Sequence, residues 1–405
     1  MNAKLKIMFD QIQQLLKASS MWTAMLNVKE DSQWHREDNV AEHTRMVLAW
    51  YDENLAASRD AYSRFLTKTA LLFHDVGKPM AREPVEKDGV TYFRYPMHEQ
   101  YSARLFENFV VENDLLGNVI DVADFRRIKW LIENHLPYGI TNSKNLNALK
   151  FDLNAQNPAN AAEGMLQRVF FDILLSDAHG RISDDHAQKL SKVNVWINDF
   201  SAHEIQLIER KKFNAEKIMI IAVGTAGSGK STYFDSIRKV FSEYGLSCET
   251  LSLDLYRLSF FEKQNGRPPK DVSEAFYYSN CDDIEKEFIK FWQNESVQAI
   301  KSCPDRIILD NTNLTRKRRQ FWIHNAHNHG YKVVAVEFIN SLTELKHRQL
   351  SRGQKRVHEN VVERQYFSQS CVNIGREADE LYLMFQQNDL LMLYAETQKA
   401  YNLAC

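Results

Sequence analysis

The stretch Ile218–Ser231, "IMIIAVGTAGSGKS", constrains the fold of this chain more than any other. A six-residue apolar run passes directly into Gly224-x4-Gly229-Lys230-Ser231, and a helix-prone segment follows. Such a run suits a strand buried on both faces, and the glycines let backbone N–H groups converge on an anion at the helix N-terminus. Lys230 is spaced to reach β- and γ-phosphates, and the Ser231 hydroxyl to hold Mg²⁺. Gly224, Gly227, Gly229, Lys230, Ser231 and Thr232 are therefore the expected contacts of ATP or another NTP, bound with Mg²⁺. A strand–loop–helix of this kind belongs in a parallel sheet with flanking helices. The sequence around it agrees, because "CETLSL", "RIILD" and "KVVAVEFI" are short apolar runs separated by helical stretches.

The preceding sequence has a different period. From the start to about Ser201, apolar residues recur at helical spacing, which predicts almost continuous helix. One interruption, Glu83–His98, sets Asp88-Gly89 between two short β-prone runs and predicts a hairpin. The charged, helix-prone segment from His203 to Lys217 predicts a connector. The expected organisation is an all-α domain over 1–205, a connector over 206–217 and an α/β domain over 218–405, with the chain after Ser370 helical. A length of 405 residues suits two domains. The net charge of −2 gives no global attraction to nucleic acid, so any such binding must use local basic patches. The N-terminal segment lacks the apolar core of a signal peptide, and no apolar run is long enough to cross a bilayer. The five cysteines form no C-x-x-C pair, which suits a reducing compartment. These features predict a cytoplasmic protein without membrane contact.

Within the helical half, "LLFHDVGKPM" (Leu71–Met80) places an imidazole and a carboxylate side by side at the end of an apolar run. His43 has Val40 and Val47 at −3 and +4, and His74 has Ala70 and Leu71 at −4 and −3. His98 has Tyr101 and Leu105 at +3 and +7, His135 has Leu131 and Ile132 at −4 and −3, and Asp177 has Ile173 and Leu174 at the same offsets. Each lies on the apolar stripe of its own predicted helix. One such histidine is ordinarily a satisfied core residue. Several on separate helices are costly to bury unpaired, about 1–3 kcal/mol for each polar group and more for a carboxylate. A shared cation offsets that cost for all of them, so His43, His74, Asp75, His98, His135 and Asp177 are candidate metal ligands. Mixed imidazole and carboxylate donors suit Mn²⁺, Fe²⁺, Co²⁺ or Ni²⁺. Lys78 is either a contact to a substrate phosphate or a surface lysine, and His35, His179 and His186 are surface or supporting residues.

His43, His74-Asp75 and Asp177 resemble the H…HD…D signature of HD-domain phosphohydrolases. "HDVGKP", "YPMHEQYSARL" and "IENHLPY" are similar to the HD module of bacterial CCA-adding enzymes. This resemblance spans about Val40 to Ser183. It implies that His98 and His135 are the extra ligands of two-metal members and that Asp75 bridges two ions. Two ions roughly 3.5–4 Å apart lower the pKa of a water and clamp a phosphate. In the second half, Asp254-x-x-Arg257 in "LSLDLYRLSF" resembles the acceptor motif of 5′-OH polynucleotide kinases. "IILDNTNLTRKRRQFW" is similar to the D-x-T-N-L segment of the phage enzyme, and "TELKHRQLSRGQKRV" to its lid. This resemblance spans about Ile218 to Ser370. It implies Asp254 as the base for a 5′-hydroxyl, Arg257 as the grip on a neighbouring 3′-phosphate, and Arg348 and Arg352 as lid arginines. In a gapless pairing the family's aspartate falls on Asn311 while Asp310 precedes it, which leaves that role open between the two. The family's phosphatase signature, DxDGT, is missing from the sequence.

Taken whole, the chain resembles bacterial and phage HD–polynucleotide kinases. The resemblance implies healing of nucleic-acid ends, RNA before DNA. One site would phosphorylate 5′-OH ends with ATP, and the other would remove 3′-phosphate or 2′,3′-cyclic phosphate with divalent metal, beside a separate RNA ligase. Arg316–Arg319 and Arg348–Arg356 are the expected basic patch. Two alternatives stay open, a metabolic nucleotide or nucleoside kinase fused to an HD nucleotidase, and a non-catalytic module gated by ATP.

Overall fold

The computed structural model describes residues 3–30, 36–87, 89–158, 161–205, 207–209, 217–302, 304–353, 356–387, 390–397 and 401–403. The chain divides into two units, Met1–Ile208 with Leu403–Cys405, and Glu209–Asn402.

The first unit is helical. Its helices are α1 (Ala3–Lys17), α2 (Ser20–Leu26), α3 (Val40–Asn54), α4 (Ala61–Phe73) and α5 (Lys78–Ala81). They continue with α6 (His98–Glu112), α7 (Val122–Glu133), α8 (Ser143–Ala155), α9 (Met165–His179) and α10 (His186–Ala202). Polar caps set several starts. Asn39 accepts from the Glu42 N–H, Asp60 from Tyr62 and Ser63, and Asp121 from Ala123, each satisfying donors that a helix start leaves unpaired. Helix α4 is buried on most of its surface, with Ser63, Thr67 and Thr69 enclosed as well as Phe65, Leu66 and the run from Ala70 to Phe73. That pattern suits a helix enclosed by others, and α1, α3, α6, α7 and α9 all pack against it. The interruption after α5 is a hairpin, β1 (Glu83–Lys87) antiparallel to β2 (Val90–Arg94). Gly89 takes φ 77° in its turn, while Asp88 lies outside the described residues.

Two glycines fix the closest helix contacts. A Cβ on Gly180, at the end of α9, would lie 2.4 Å from Val47 Cα on α3. One on Gly77 would lie 2.4 Å from the His98 carbonyl oxygen of α6, and the Gly77 N–H donates to Ser102 Oγ at 2.8 Å. Only a residue without a side chain lets these backbones approach so closely. The first contact sets α9 against α3, and the second sets the segment after α4 against α6.

The segment expected as a helical connector is in part a strand, β3 (Leu207–Glu209), and a further short strand, β10, spans Tyr401–Leu403. Residues 210–216 of that segment lie outside the described residues. The second unit is built on β4 (Ile218–Val223), β5 (Cys248–Leu251), β6 (Arg306–Leu309), β7 (Lys332–Phe338), β8 (Glu380–Gln387) and β9 (Leu390–Thr397). The strand order is β5-β6-β4-β7-β8-β9, parallel except for the β8–β9 pair. Ile220 sits opposite Ile308 and Val334 across the three central strands. With Ala222, Phe234, Val336, Phe338 and Met384 these residues form one buried cluster. The flanking helices are α11 (Lys230–Glu243), α12 (Leu253–Asn265), α13 (Val272–Ser279) and α14 (Asp282–Lys301). After them come α15 (Arg316–Asn328), α16 (Leu342–Leu350) and α17 (Glu359–Ser368).

The chain after Ser370 is not helical: it supplies β8 and β9. "ELYLMFQQ" and "LLMLYAET" are rich in Leu and Met, which favour helix, and contain no valine or isoleucine. The unpaired edge of β7 decides against that propensity, since its backbone groups need partners. From β4 the chain crosses to β5 on one side and, after β6, returns to β7 on the other. The C-terminal end of β4 is therefore the switch point at which ligands bind in open α/β sheets. Among the described residues, no helix is long and apolar enough to cross a membrane.

Substituting Gly180→Ala forces α9 away from α3 against a backbone contact. Overpacking of this kind costs about 1–3 kcal/mol, so the melting transition of the helical unit is expected to fall by about 2–12 °C. Differential scanning calorimetry checks this, and an unchanged transition would contradict the close-approach role.

Candidate active sites

The helical unit brings its six candidate ligands to one place. His43 lies within α3 and Asp177 within α9, while His74 caps the C-terminus of α4 and His98 opens α6. His135 follows the end of α7. Two donor groups result, His43 with His74 and Asp75, and Asp75 with His98 and His135, all buried, with the donor atoms in each within 4.8 Å of one another. Asp75 belongs to both. Its Oδ2 faces His74 Nε2 at 3.2 Å and His43 Nε2 at 3.4 Å, and its Oδ1 faces His98 Nε2 at 3.1 Å and His135 Nε2 at 3.7 Å. Asp177 joins the first group, with Oδ1 3.2 Å from His43 Nε2.

The hydrogen bonds on the far side of the rings show what these nitrogens are for. His74, His98 and His135 each point Nδ1 at the carbonyl three residues earlier, that of Leu71 (2.6 Å), Tyr95 (2.8 Å) and Ile132 (2.8 Å). A carbonyl only accepts, so each Nδ1 carries a proton, and whenever the ring is neutral its lone pair lies at Nε2. Those lone pairs then face carboxylate oxygens and one another. His43 Nε2 and His74 Nε2 stand 3.4 Å apart, a repulsive arrangement unless a proton or a cation lies between them. Two nitrogens on one ion at ~2.1 Å lie ~3.0–3.4 Å apart for bond angles between octahedral and tetrahedral.

Charge leads to the same place. Among the described residues, the carboxylates of Glu30, Glu37, Asp75 and Asp177 are buried together with the cations Lys78 and Arg181. Buried carboxylates need compensating positive charge in a low-dielectric interior. Burial works against a charged His43, yet Asp177 and Glu37 raise its pKa to about 9. Burial likewise opposes a charged His98, and Asp75 overcomes it. His135 is driven down, first by burial. One imidazole in each donor group is thus drawn toward its protonated form, taking the place of a cation. Asp75 stays well below the usual carboxylate range despite burial, held there by His74 and Lys78, and Asp177 by Arg181 and His43. The residues fit a divalent ion in each group. Such ions would add positive charge beside the buried carboxylates.

Lys78 is not a surface lysine. It is buried, and its ammonium sits between Asp75 Oδ2 and Glu30 Oε1, 2.9 Å from each, where it fixes the shared carboxylate. The sequence reading missed Glu30, Glu37 and Arg181. Glu37 faces His43 Nδ1 at 3.4 Å and accepts from the Ile182 N–H. Arg181 donates to both oxygens of Asp177 at 2.8 and 2.9 Å, and its i+4 spacing was legible. Glu30 and Glu37 lie outside regular helix, where no period points to them. His179 stacks on Trp50 and packs near His186. His35 lies outside the described residues.

In the second unit the phosphate loop leaves the end of β4. Gly229 caps α11 at φ 94° and Gly227 takes φ 91°, the left-handed region that favours glycine. Lys230 Nζ donates to the carbonyls of Gly224 and Thr225 at 2.8 Å, within reach of the space over the loop. Burial pushes its pKa down to about 8, opposed by Asp310. Asp310 is thus the carboxylate that acts on Lys230, whereas Asn311 Oδ1 accepts from the Leu253 N–H and anchors the start of α12. Ser231 and Thr232 open α11 beside Lys230 and line the same cavity as Asp254, Arg257, Arg348 and Arg352. Asp254 lies in the first turn of α12, with Arg257 Nη1 3.2 Å from its Oδ1. Arg348 Nη1 reaches the Gly227 carbonyl at 3.4 Å. Two glutamines that the sequence did not single out hold this loop. Gln349, fully buried, donates to the Ala226 carbonyl at 2.9 Å and accepts from Arg352, and Gln365 accepts from the Ala226 N–H. Arg319 leaves the expected basic patch: it is buried against Glu377 and bonds the carbonyls of Asn313, Leu314 and Cys371.

Residues 219–370 match the family model of an AAA domain. No curated protein matches the chain. Among solved structures it is similar to Chaetomium thermophilum Kti12 in complex with ADP-AlF3, at 16% identity and a TM-score of 0.30, over 42% of this chain and 89% of that one. It is also similar to a gluconokinase from Sinorhizobium meliloti 1021, at 17% identity and a TM-score of 0.25, over 40% of this chain and 78% of that one. The second unit is a P-loop domain built on a largely parallel sheet, and a helical region precedes it in the chain.

Because an ion requires neutral imidazoles at Nε2, its binding must displace the proton that His43, raised to about 9, holds at neutral pH. Calorimetric titration with Mn²⁺ at pH 7, in buffers of different ionisation heat, is expected to show proton release and about two ions bound per chain. Affinity should rise with pH until His43 is neutral, above about 9. Replacing His98 and His135 together by Ala should leave about one ion, and an unchanged count would return both residues to the core.

Proposed function

We propose that the chain heals nucleic-acid ends. The P-loop unit transfers the γ-phosphate of ATP to a 5′-hydroxyl, and the helical unit is an HD-type phosphohydrolase that removes a 3′-phosphate or a 2′,3′-cyclic phosphate. The observation that carries the kinase half is the placement of Asp254. Its side chain is 65% exposed and is tied to Arg257, on the wall of the cavity that also holds the phosphate loop and both lid arginines. That cavity, about 1650 Å³, exceeds the ~300–1,000 Å³ of a typical small-ligand site, which leaves room for a second substrate beside the nucleotide. Seven basic side chains line it against three acidic ones, in a chain whose net charge is −2. A polyanionic acceptor suits that local excess.

Each residue then has a task. Lys230 exchanges its loop carbonyls for a phosphate of the nucleotide, a stronger partner for an ammonium. Asp254 accepts the proton of the attacking 5′-hydroxyl, and Arg257 steadies that carboxylate and reaches the neighbouring 3′-phosphate. Arg348 and Arg352 supply positive charge over the transferring group. Asp310 and Ser231 would hold Mg²⁺, which supplies charge neutralisation between the phosphates. In the helical unit His43, His74, Asp75, His98, His135 and Asp177 would hold divalent ions, which supply an activated water and a clamp on the phosphate. Glu37 orients His43 there, and Lys78 and Arg181 fix the two carboxylates. The products, 5′-phosphate and 3′-hydroxyl ends, are those a ligase joins.

The test is one substrate with two reporters, an RNA bearing a 5′-OH and a 2′,3′-cyclic phosphate, incubated with ATP and Mn²⁺, Co²⁺ or Ni²⁺. Both ends are expected to be converted. Lys230→Ala should abolish 5′ phosphorylation and leave 3′ hydrolysis within a few-fold, and Asp75→Ala should do the reverse. Loss of both activities in either folded variant would sink the two-site proposal. Asp254→Asn keeps the shape and removes the basicity, so single-turnover transfer is expected to fall ~10²–10⁴-fold with ATP affinity nearly unchanged.

A further inference from the structure

Helix α13 carries two large aromatic side chains that its own packing does not need. Ala275 and Ser279 are its buried positions, and Tyr278 packs beside them on Phe260 and Phe261 of α12. That is an i, i+3, i+4 stripe, and it accounts for the helix's attachment. Phe276 and Tyr277 lie off the stripe, 45% and 72% exposed, and both line the cavity of the phosphate loop, as do Ser273 and Asn280 one turn to either side. Their place in it is specific. The Arg257 guanidinium lies over the Phe276 ring at 4.8 Å, and Arg257 is the partner of Asp254. Tyr277 stands edge-on to Phe276, ring centroids 5.8 Å apart. A continuous line thus runs from the Asp254 carboxylate through Arg257 and Phe276 to the open Tyr277 ring. Phe321, on α15, adds a third exposed ring to the lining.

Exposed rings beside a guanidinium suit a planar, weakly polar partner joined to an anion. A nucleobase on a sugar–phosphate strand is such a partner, stacking on the rings while its phosphates meet the basic lining. We infer that Phe276 and Tyr277 form a stacking platform for the first bases of the acceptor strand, so that the kinase takes unpaired 5′-OH ends. A base still paired in a duplex has its faces covered by its neighbours and cannot use the platform. This rests on the proposal that Asp254 serves a polynucleotide acceptor, and it adds the structural class of that acceptor.

The experiment is steady-state transfer from ATP to a single-stranded 5′-OH oligonucleotide, with ATP binding as the measure of an intact fold. Stacking of a base on an aromatic side chain sets the expected size of the effect, and Tyr277→Ala should raise KM for the strand about 5- to 100-fold. The KM for ATP and kcat should hold, and Tyr277→Trp should retain the wild-type values. Wild-type protein given a strand with its first two bases removed should show the same loss, and Tyr277→Ala should add little to it. A 5′-OH recessed in a duplex should be a poor acceptor for both proteins. An unchanged strand KM in Tyr277→Ala, or a rise in the KM for ATP instead, overturns the platform. Wild-type protein that phosphorylates free nucleosides but no oligonucleotide overturns the polynucleotide proposal itself, and the platform with it.

Discussion

The carboxylate of Asp75 is the point on which the helical unit depends. Both of its oxygens are buried, each faces a different pair of imidazoles, and Lys78 holds one of them in place. A buried carboxylate survives only where its surroundings favour its charge, and here the surroundings come from four separate helices and the turns at their ends. The central helix α4 delivers it, α3 and α9 bring His43 and Asp177, and α6 and α7 bring His98 and His135. The glycine contacts at Gly77 and Gly180 are the steric condition for that convergence. Packing and chemistry are therefore one problem in this unit, because the helices cannot close without assembling the charged centre, and the centre cannot stay buried without compensation.

The P-loop unit meets a different constraint. Parallel strands put the ends of β4, β5 and β6 at the same edge of the sheet, so the phosphate loop, Asp254 and Asp310 emerge together although up to 86 positions separate them in the chain. What then holds them in register is polar and buried. Asn311 anchors the start of α12, Gln349 and Gln365 grip Ala226, and Arg319 ties the loop after β6 to Glu377 and to the carbonyl of Cys371. Arg319 lies next to Lys317 and Arg318 in sequence, yet it is spent on the scaffold while they line the cavity.

Much of the candidate site was legible in the sequence where a local rule spoke. Strand, glycine loop and helix are contiguous, so the nucleotide site could be read from one segment. The histidines and aspartates stood out because each broke an apolar stripe at a predictable offset. Arg181 was within reach of the same reasoning, at i+4 from Asp177. Glu30, Glu37, Gln349 and Gln365 were not. They are polar residues without period or motif, and only their burial beside a particular atom gives them a task. Local propensity failed where pairing decided. Leu and Met favour helix, so β8 and β9 were misjudged, as was the part of the connector that forms β3. Nothing in the sequence separates Lys78 as a surface lysine from one enclosed by two carboxylates.

By itself the sequence determined where the period changes from helical to strand, which loop can cradle a phosphate, and which side chains are chemically able to hold a cation or accept a proton. Those follow from local spacing and from side-chain chemistry, and both are written along the chain. The tertiary structure alone decided that Asp75 is shared between two donor groups, that Asp310 acts on Lys230 while Asn311 anchors α12, that Arg319 is structural, and that Phe276 and Tyr277 line the cavity with Asp254. Each is a question of which groups lie within a few ångströms of one another, and residues far apart in sequence come that close only when helices pack and strands pair.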